Sequence, residues 1–514
     1  MTISATSPGR KETELPSVAA TDAGSVGSPS SLRQQTTRGG LITVVAQGGK
    51  FVLRTGSMMV LARLLTPDDF GLVGMVTAFT GFLSLFKDAG LSMATVQRVH
   101  VTAEQVATLF WINVGVGAVL ALATAFLAPV LAAFYHEPRL VWVTFWLAVG
   151  FIFSGAASQH QALLQREMKF GLLAVVDIVS LTLTIGLSIA MALAGLKYWA
   201  LVGMASGLPA LNAVGLWWAA GWIPGRPRRK VGVRSMLHYG GTITVNNVVC
   251  YLAYNAEKVL LGRFWGTETL GLYGRAYQLI NLPTENLNSV LGFVSFPALS
   301  RVQSDAGRLR TYFLEGYGLF LSLVIPVTVA CAMFSDDIIR VMLGPQWREA
   351  AALFRLLSPT ILSFAVINPF AWLMLAQGQA VRSLKIALMI APVVILGYVA
   401  GLGHGPQGVA LGYSVAVLAV AVPAVLWAKH GTLITGKDIL RAIVRPLTSA
   451  LVGAGVVLAT SRFIDRIEPA FVRLVLSTTV LFGVYLLCLL FVMGQKARYV
   501  RVLRDSGLWS SGNR

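Results

Sequence analysis

Leu61-Ala-Arg-Leu-Leu-Thr-Pro-Asp-Asp-Phe-Gly-Leu-Val-Gly74 returns 200 positions later, without a gap, as Leu261-Gly-Arg-Phe-Trp-Gly-Thr-Glu-Thr-Leu-Gly-Leu-Tyr-Gly274. Five of the fourteen positions are identical: Leu61/Leu261, Arg63/Arg263, Gly71/Gly271, Leu72/Leu272 and Gly74/Gly274. So short a match gains its weight from placement. Each copy joins the first two long apolar runs of its half of the chain. Six such runs separate the copies, so both point the same way across a membrane. That predicts two halves related by an axis along the membrane normal. Thr66-Pro-Asp-Asp69 reads as a helix start, with an N-cap, a proline at the first helical position and acids at the positive end of the helix. Gly266-Thr-Glu-Thr269 is expected to do the same in the second half. Both are read as structural turns without a transport role.

The composition carries this reading to the rest of the chain. Of 514 residues, 55% are hydrophobic and 12% charged, about half the charge of a soluble protein. Apolar runs long enough to cross a core of roughly 30 Å recur from Gly39–Leu65 to Phe471–Met493. They predict an all-α integral membrane protein of about fourteen transmembrane helices in two bundles. Loop charge tests the count. With the N-terminus in the cytoplasm, the tails and cytoplasmic connections hold 26 Lys and Arg and the outer connections 6, with Lys385 and Arg445 counted in the connections they border. This positive-inside bias places both termini in the cytoplasm. The net charge of +19 is thereby spread over short loops, which argues against a nucleic-acid partner.

The expected organisation is a disordered cytoplasmic tail over 1–38, a six-helix bundle over 39–221 and a basic cytoplasmic linker over 222–235. A second six-helix bundle over 236–428, two further helices over 429–493 and a basic cytoplasmic tail over 494–514 follow. The N-terminal tail lacks the apolar core of a cleavable signal peptide. Cys250, Cys331 and Cys488 lie in apolar runs and form no disulfide or metal pattern. P-loop, zinc-protease and nucleophile-elbow motifs are missing from the sequence. The connections are too short for a soluble catalytic domain. The chain is therefore expected to be a transporter and not an enzyme, with no cofactor.

Ionisable groups at bilayer depth cost roughly 2.5–3.5 kcal/mol on insertion scales, so they mark cavities or partners. In the first helix Gln47, Lys50, Arg54 and Ser57 are spaced by three, four and three, which puts them on one face. The stripe is read as the wall of a wet cavity; an internal salt bridge is the competing reading. At the repeat-equivalent positions stand Asn247, Cys250, Tyr254 and Glu257, neutral or acidic where the first half is cationic. Asp88, Asp177, Glu257 and Glu285 are candidates to line the cavity or carry a coupling proton. Pro283, within the eighth helix, is expected to kink it and expose Glu285 and Asn288. Cations near helix ends, Arg63 and Arg263 among them, are expected to snorkel. His160 reads as a hydrogen-bonded structural histidine.

The run Ala62-Arg-Leu-Leu-Thr-Pro-Asp-Asp-Phe-Gly-Leu72, followed by Asp88-Ala-Gly-Leu-Ser-Met-Ala-Thr-Val-Gln97, resembles the opening of the polysaccharide transporter family. Gln159-His-Gln-Ala-Leu-Leu-Gln-Arg-Glu-Met-Lys-Phe170 and Tyr198-Trp-Ala-Leu-Val202 resemble its branch of Wzx-type exopolysaccharide and colanic-acid exporters. The resemblance spans residues 40 to about 500. It implies membership of the multidrug/oligosaccharidyl-lipid/polysaccharide superfamily, with two bundles around a central cavity and alternating access. It implies, as substrate, an oligosaccharide on undecaprenyl pyrophosphate crossing the bacterial inner membrane for exopolysaccharide or lipopolysaccharide biosynthesis. A polysaccharide polymerase and glycosyltransferases would be partners beside the membrane lipids. Lys50, Arg54, Gln47 and Asn247 are then the candidates to meet the substrate. A multidrug exporter of the same superfamily is the alternative, and a membrane polysaccharide polymerase ranks below both.

Overall fold

In a computed structural model of the protein, the described backbone covers residues 29–87, 95, 101–227, 234–464, 466–497 and 499. Side chains are described there except over 29–44, 234–246, 286–298, 380 and 464. The described residues form helices joined by short turns, without a strand.

In the first half α1 (Pro29–Leu64) and α2 (Pro67–Ser84) are followed by α3 (Ala103–Tyr135), α4 (Leu140–Arg166), α5 (Phe170–Leu193) and α6 (Trp199–Ala220). The second half opens with α7 (Arg234–Arg301), whose single non-helical residue is Gly266, at φ 81° and ψ −175°. Glycine reaches that backbone geometry without the penalty of a Cβ, so α7 has two limbs, 234–265 and 267–301. Then come α8 (Ala306–Met333), the short α9 (Ser335–Met342), α10 (Ala350–Leu357), α11 (Pro359–Ala376), α12 (Ala380–Leu402) and α13 (Gly405–Ala428). The chain finishes with α14 (Gly436–Ile464) and α15 (Ala470–Leu487). Ten of the helical stretches are long and apolar enough to cross a membrane.

Local chemistry explains the boundaries. Thr66 and Asp69 form the expected capping box: the Thr66 amide donates to Asp69 Oδ2 at 3.0 Å and the Asp69 amide to Thr66 Oγ1 at 3.4 Å. At its counterpart a new limb begins after Gly266. Thr267, at the first position of that limb, donates its hydroxyl across to Asp68 in the first half. The backbone of α7 stays helical through Pro283, so the kink expected there is not seen; the non-helical Gly266 lies where the turn between the seventh and eighth spans was expected. A proline removes one amide donor, and the flanking turns of a long helix can hold it in line. Glu285 is exposed; the Asn288 side chain lies outside the described residues. Upstream, α1 extends to Pro29, beyond the Gly39 start read from hydropathy. Helix propagation from an established apolar turn costs far less than nucleation.

Within the first half α1 packs on α5, α3 on α4, and α6 on both α4 and α5. In the second, α12 packs on α13 and α7, while α14 pairs with α15 and leans on α8. Close approach between helices rests on small residues. A Cβ on Gly401 would lie 2.0 Å from the Gly408 carbonyl oxygen, and one on Gly412 2.1 Å from that of Gly397. Large apolar side chains face outward along the rods, Phe126 at 77% exposure and Trp218 at 87%, as lipid contact requires.

The main contact between the halves is α2 against α7, and it is reciprocal. A Cβ on Gly71 would lie 1.7 Å from the Thr267 carbonyl oxygen, and one on Gly271 1.9 Å from that of Pro67. Pro67 and Thr267 are themselves repeat-equivalent, so the two close approaches join repeat-equivalent positions. Around this seam the second half grips the α1–α2 turn. Trp347 Nε1 donates to the Ala62 carbonyl at 2.7 Å, the Gln346 amide to Leu65 at 3.0 Å, and Phe70 and Trp347 stack edge-on at 5.4 Å.

His160 is structural, as expected. Its ring nitrogens lie 3.1 Å from the carbonyl oxygens of Ala156 and Trp222, and its ring stacks on Trp217 at 4.5 Å. With Trp111 Nε1 donating to Gly225 at 2.9 Å, it fastens the start of the inter-half linker to the first bundle.

Candidate functional site

The α1 stripe grades from open to closed. Gln47 and Arg54 are exposed, Lys50 is half-buried and Ser57 is buried, donating to the Arg54 carbonyl at 2.9 Å. Val45 and Val52, at 68% and 67% exposure, occupy the opposite side of the same helix. One face of α1 is thus suited to lipid and the other to a polar space.

Lys50 has the partner that the competing reading allowed. Its Nζ lies 2.9 Å from Asp177 Oδ2 on α5, with the side chains 18% and 35% exposed. Asn212 Nδ2 on α6 donates to the other carboxylate oxygen at 3.3 Å. Three helices therefore meet at one carboxylate, and the pair is a wet ion pair rather than a sealed one. The guanidinium of Arg54 has no hydrogen-bond or ion-pair partner among the described residues.

The matching face of α7 behaves differently. Asn247 is exposed. Cys250 and Tyr254 turn toward an apolar cavity of about 170 Å³ walled by α11, α12 and α13. Glu257 is 1% exposed. Tyrosines enclose it: Tyr273 stacks with Tyr277 at 6.3 Å, Tyr398 with Tyr413 at 5.1 Å, and the Tyr277 and Tyr413 hydroxyls lie 3.3 Å apart. The Tyr398 hydroxyl is beside the Glu257 carboxyl, yet it and Glu257 Oε2 lack hydrogen-bond geometry to any described group. Lys258 turns away to Asn255 Oδ1 at 2.7 Å. Lys50 and Asp177 are therefore brought together, and among the described residues no hydrogen bond or ion pair joins them to Asn247, Glu257 or Glu285. Asp88 lies outside the described residues.

Sequence reasoning missed Asn212, the tyrosine nest and a hub on α9. Arg63 donates to the Val341 carbonyl at 2.8 Å, Arg355 Nε to Ser335 Oγ at 2.9 Å, and Arg473 Nε to Asp337 Oδ2 at 2.9 Å. Arg355 also pairs with Asp336. These three cations are bound, not snorkelled. The signal available was the adjacent acids Asp336-Asp337 directly after an apolar run. Next to the seam, Arg139 links Asp68 at 3.0 Å and Glu137 at 2.8 Å. Hydrogen bonds from Arg139 hold the Glu137 carboxyl below its ordinary range, and that bond in turn raises the guanidinium.

Two helical halves that meet mainly along α2 and α7, with a polar stripe on α1, are the frame of the described residues. The chain matches the family described as polysaccharide biosynthesis protein over residues 60–352. It belongs to that family. It is 27% identical to the teichuronic acid biosynthesis protein TuaB of Bacillus subtilis (strain 168) over 338 residues, 64% of this chain and 68% of that one. It is 25% identical to the lipopolysaccharide biosynthesis protein WzxC of Escherichia coli (strain K12) over 393 residues, 74% of this chain and 78% of that one. In fold it is similar to the lipid II flippase MurJ in an inward closed conformation, with a TM-score of 0.72 at 14% identity, over 90% of this chain and 99% of that one. The protein is a multi-pass membrane protein of that polysaccharide-biosynthesis family.

Proposed function

We propose that the protein flips an undecaprenyl-pyrophosphate-linked oligosaccharide from the inner to the outer leaflet of the bacterial inner membrane by alternating access. The observation that carries this reading is Arg54. It is a cation on the polar face of a membrane helix, exposed and without a partner among the described residues, beside the half-exposed Lys50–Asp177 pair. A guanidinium at that depth is costly unless it faces water and an anion, and its planar fork suits phosphate oxygens. In this reading Arg54 and Lys50 meet the pyrophosphate, Gln47 and Asn247 meet sugar hydroxyls, and the lipid tail stays in the bilayer. Asp177, Glu257, Glu285 and Asp88 are the carboxyls available for ion coupling.

The architecture proposed is fourteen crossings. The ten apolar helices, α1, α2 and the two limbs of α7 supply them. Bundles over 39–221 and 236–428 flank the basic linker 222–235, with two further helices over 429–493. The reciprocal Gly71–Gly271 seam supports a pseudo-two-fold along the membrane normal, and loop charge supports cytoplasmic termini, 1–38 and 494–514. A polysaccharide polymerase and glycosyltransferases are the proposed partners.

Deleting the gene in its own host and identifying the lipid-linked glycan that accumulates tests the function. Accumulation of an undecaprenyl-linked oligosaccharide, cleared by the intact gene and not by an Arg54→Ala copy, is the expected outcome. Unchanged glycolipids together with new sensitivity to cationic drugs would move the assignment to multidrug export.

A further inference from the structure

Away from the α1 stripe, the start of α8, the start of α14 and the stretch that follows α15 surround a cleft of about 290 Å³. Arg310, Arg441, Arg445 and Tyr499 supply its polar wall, and Leu314, Pro446 and Leu489 its apolar one. Its acids are already engaged. Asp438 takes Arg310 Nη2 at 2.9 Å and also caps α14, accepting the Thr435 amide at 3.0 Å and the Thr435 hydroxyl at 2.8 Å. Glu315 has an interaction of its own.

That leaves Arg441 and Arg445. Both are exposed, and neither guanidinium has a hydrogen-bond or ion-pair partner among the described residues. They stand one turn apart on α14, where like charges repel unless an anion lies between them. Arg310, pinned by Asp438, adds a third cation in a fixed place. Val444, between the two arginines, and Leu451, further along α14, are exposed at 41% and 56%, so the charged cleft adjoins an exposed apolar surface. Basic pockets of this kind between membrane helices take anionic head groups.

The geometry points to a structural lipid site: the cleft seats the phosphate of an anionic glycerophospholipid, forked between Arg441 and Arg445, with its acyl chains along α14. In the topology proposed above, on which only the choice of leaflet rests, this is the cytoplasmic leaflet. The cleft has room for a glycerophosphate head and not for an oligosaccharide. Its walls come from α8, α14 and the stretch after α15, apart from Lys50 and Arg54.

The test is native mass spectrometry of the purified full-length protein titrated with phosphatidylglycerol, phosphatidylcholine or inorganic phosphate. Phosphatidylglycerol should bind at least tenfold more tightly than phosphatidylcholine. That preference should vanish in Arg441→Ala/Arg445→Ala and survive in Arg466→Ala, at the far end of the same helix pair. Arg441→Lys/Arg445→Lys should keep an intermediate preference, since lysine retains charge without the fork, and it guards against misfolding of the alanine pair. Equal binding of the two lipids, an alanine pair that binds like the parent, or displacement of the lipid by equimolar inorganic phosphate would each overturn the assignment. Failure of the flippase reading would leave this binding result unchanged.

Discussion

The faces of α1 and of the first limb of α7 hold repeat-equivalent positions of similar burial and different chemistry. On α1, Arg54 is exposed and Lys50 shares a wet carboxylate with α5. On α7, Tyr254, the equivalent of Arg54, is half-buried, and Glu257, the equivalent of the buried Ser57, puts a carboxyl where α1 has a hydroxyl. Yet at the next turn the two copies are still bound to each other, Gly71 on Thr267 and Gly271 on Pro67. The reciprocal contact at the turn is thus kept while the side chains on the two faces have diverged. A polar stripe in one copy therefore says little about what its counterpart meets.

The largest expected effect tests the open side of the contrast. Arg54→Ala should reduce export at least tenfold, read as surface polysaccharide, while membrane abundance stays within twofold of the parent. Arg54 holds nothing in place among the described residues, so a stability defect ahead of the transport defect would sink its role as a substrate anchor. Glu257→Ala should do the reverse. It opens a cavity among packed tyrosines, and abundance and thermal stability should fall first, by about 2–4 kcal/mol on the scale of buried truncations. If the Glu257→Ala protein is as stable as the parent, the nest is not a packing unit.

The seam comes next. A Cβ on Gly71 or Gly271 would fall within 2 Å of backbone in the other half, which no side-chain rotation relieves. Gly71→Val and Gly271→Val should each lower thermal stability by about 1–3 kcal/mol, the cost of overpacking. The two should act alike if the contact is symmetric. A large gap between them would show that the two-fold is only approximate there.

How much of this was legible in the sequence varies by residue. Helix existence was, because apolar length is a local property. The Thr66–Asp69 cap was, because its chemistry closes within four residues. The Lys50–Asp177 pair was not: 127 positions separate its members, and spacing on α1 gives a face without saying what stands opposite. Glu257 illustrates the same limit. Periodicity placed it beside Tyr254, but its enclosure comes from Tyr398 and Tyr413, on α12 and α13. The Thr267–Asp68 bond was not legible either, because its members belong to different halves of the chain.

The Lys50–Asp177 pair gives a smaller, sharper test. Lys50→Ala and Asp177→Ala together, set against each single change, should show a coupling of about 0.5–1 kcal/mol in thermal stability. The pair is part-exposed, and Asn212 remains to hold the carboxylate when the lysine is lost. In export, Asp177→Ala should be milder than Arg54→Ala, since freeing Lys50 adds a cation to the polar face. A coupling indistinguishable from zero would mean that the two charges do not sense each other.

The smallest effect belongs to the turn between α3 and α4. Hydrogen bonds and charge from Arg139 hold the Glu137 carboxyl below its ordinary 4.5. A carboxyl whose folded pKa is depressed adds stability that is complete above its unfolded value and is lost as pH falls through the folded one. No change from Glu137 is therefore expected between pH 8 and pH 6, and a decline should begin below about pH 5. The side chain of Arg139 is 40% exposed, so solvent screens the pair and its worth is a few tenths of a kcal/mol. Arg139→Ala should remove this acid-side decline from the melting curve while leaving the neutral-pH midpoint nearly unmoved. Arg139 also reaches Asp68, which holds the Thr267 hydroxyl across the seam. A neutral-pH loss as large as that of Gly71→Val would therefore show that this chain of polar contacts, more than the glycine packing, joins the halves at that end.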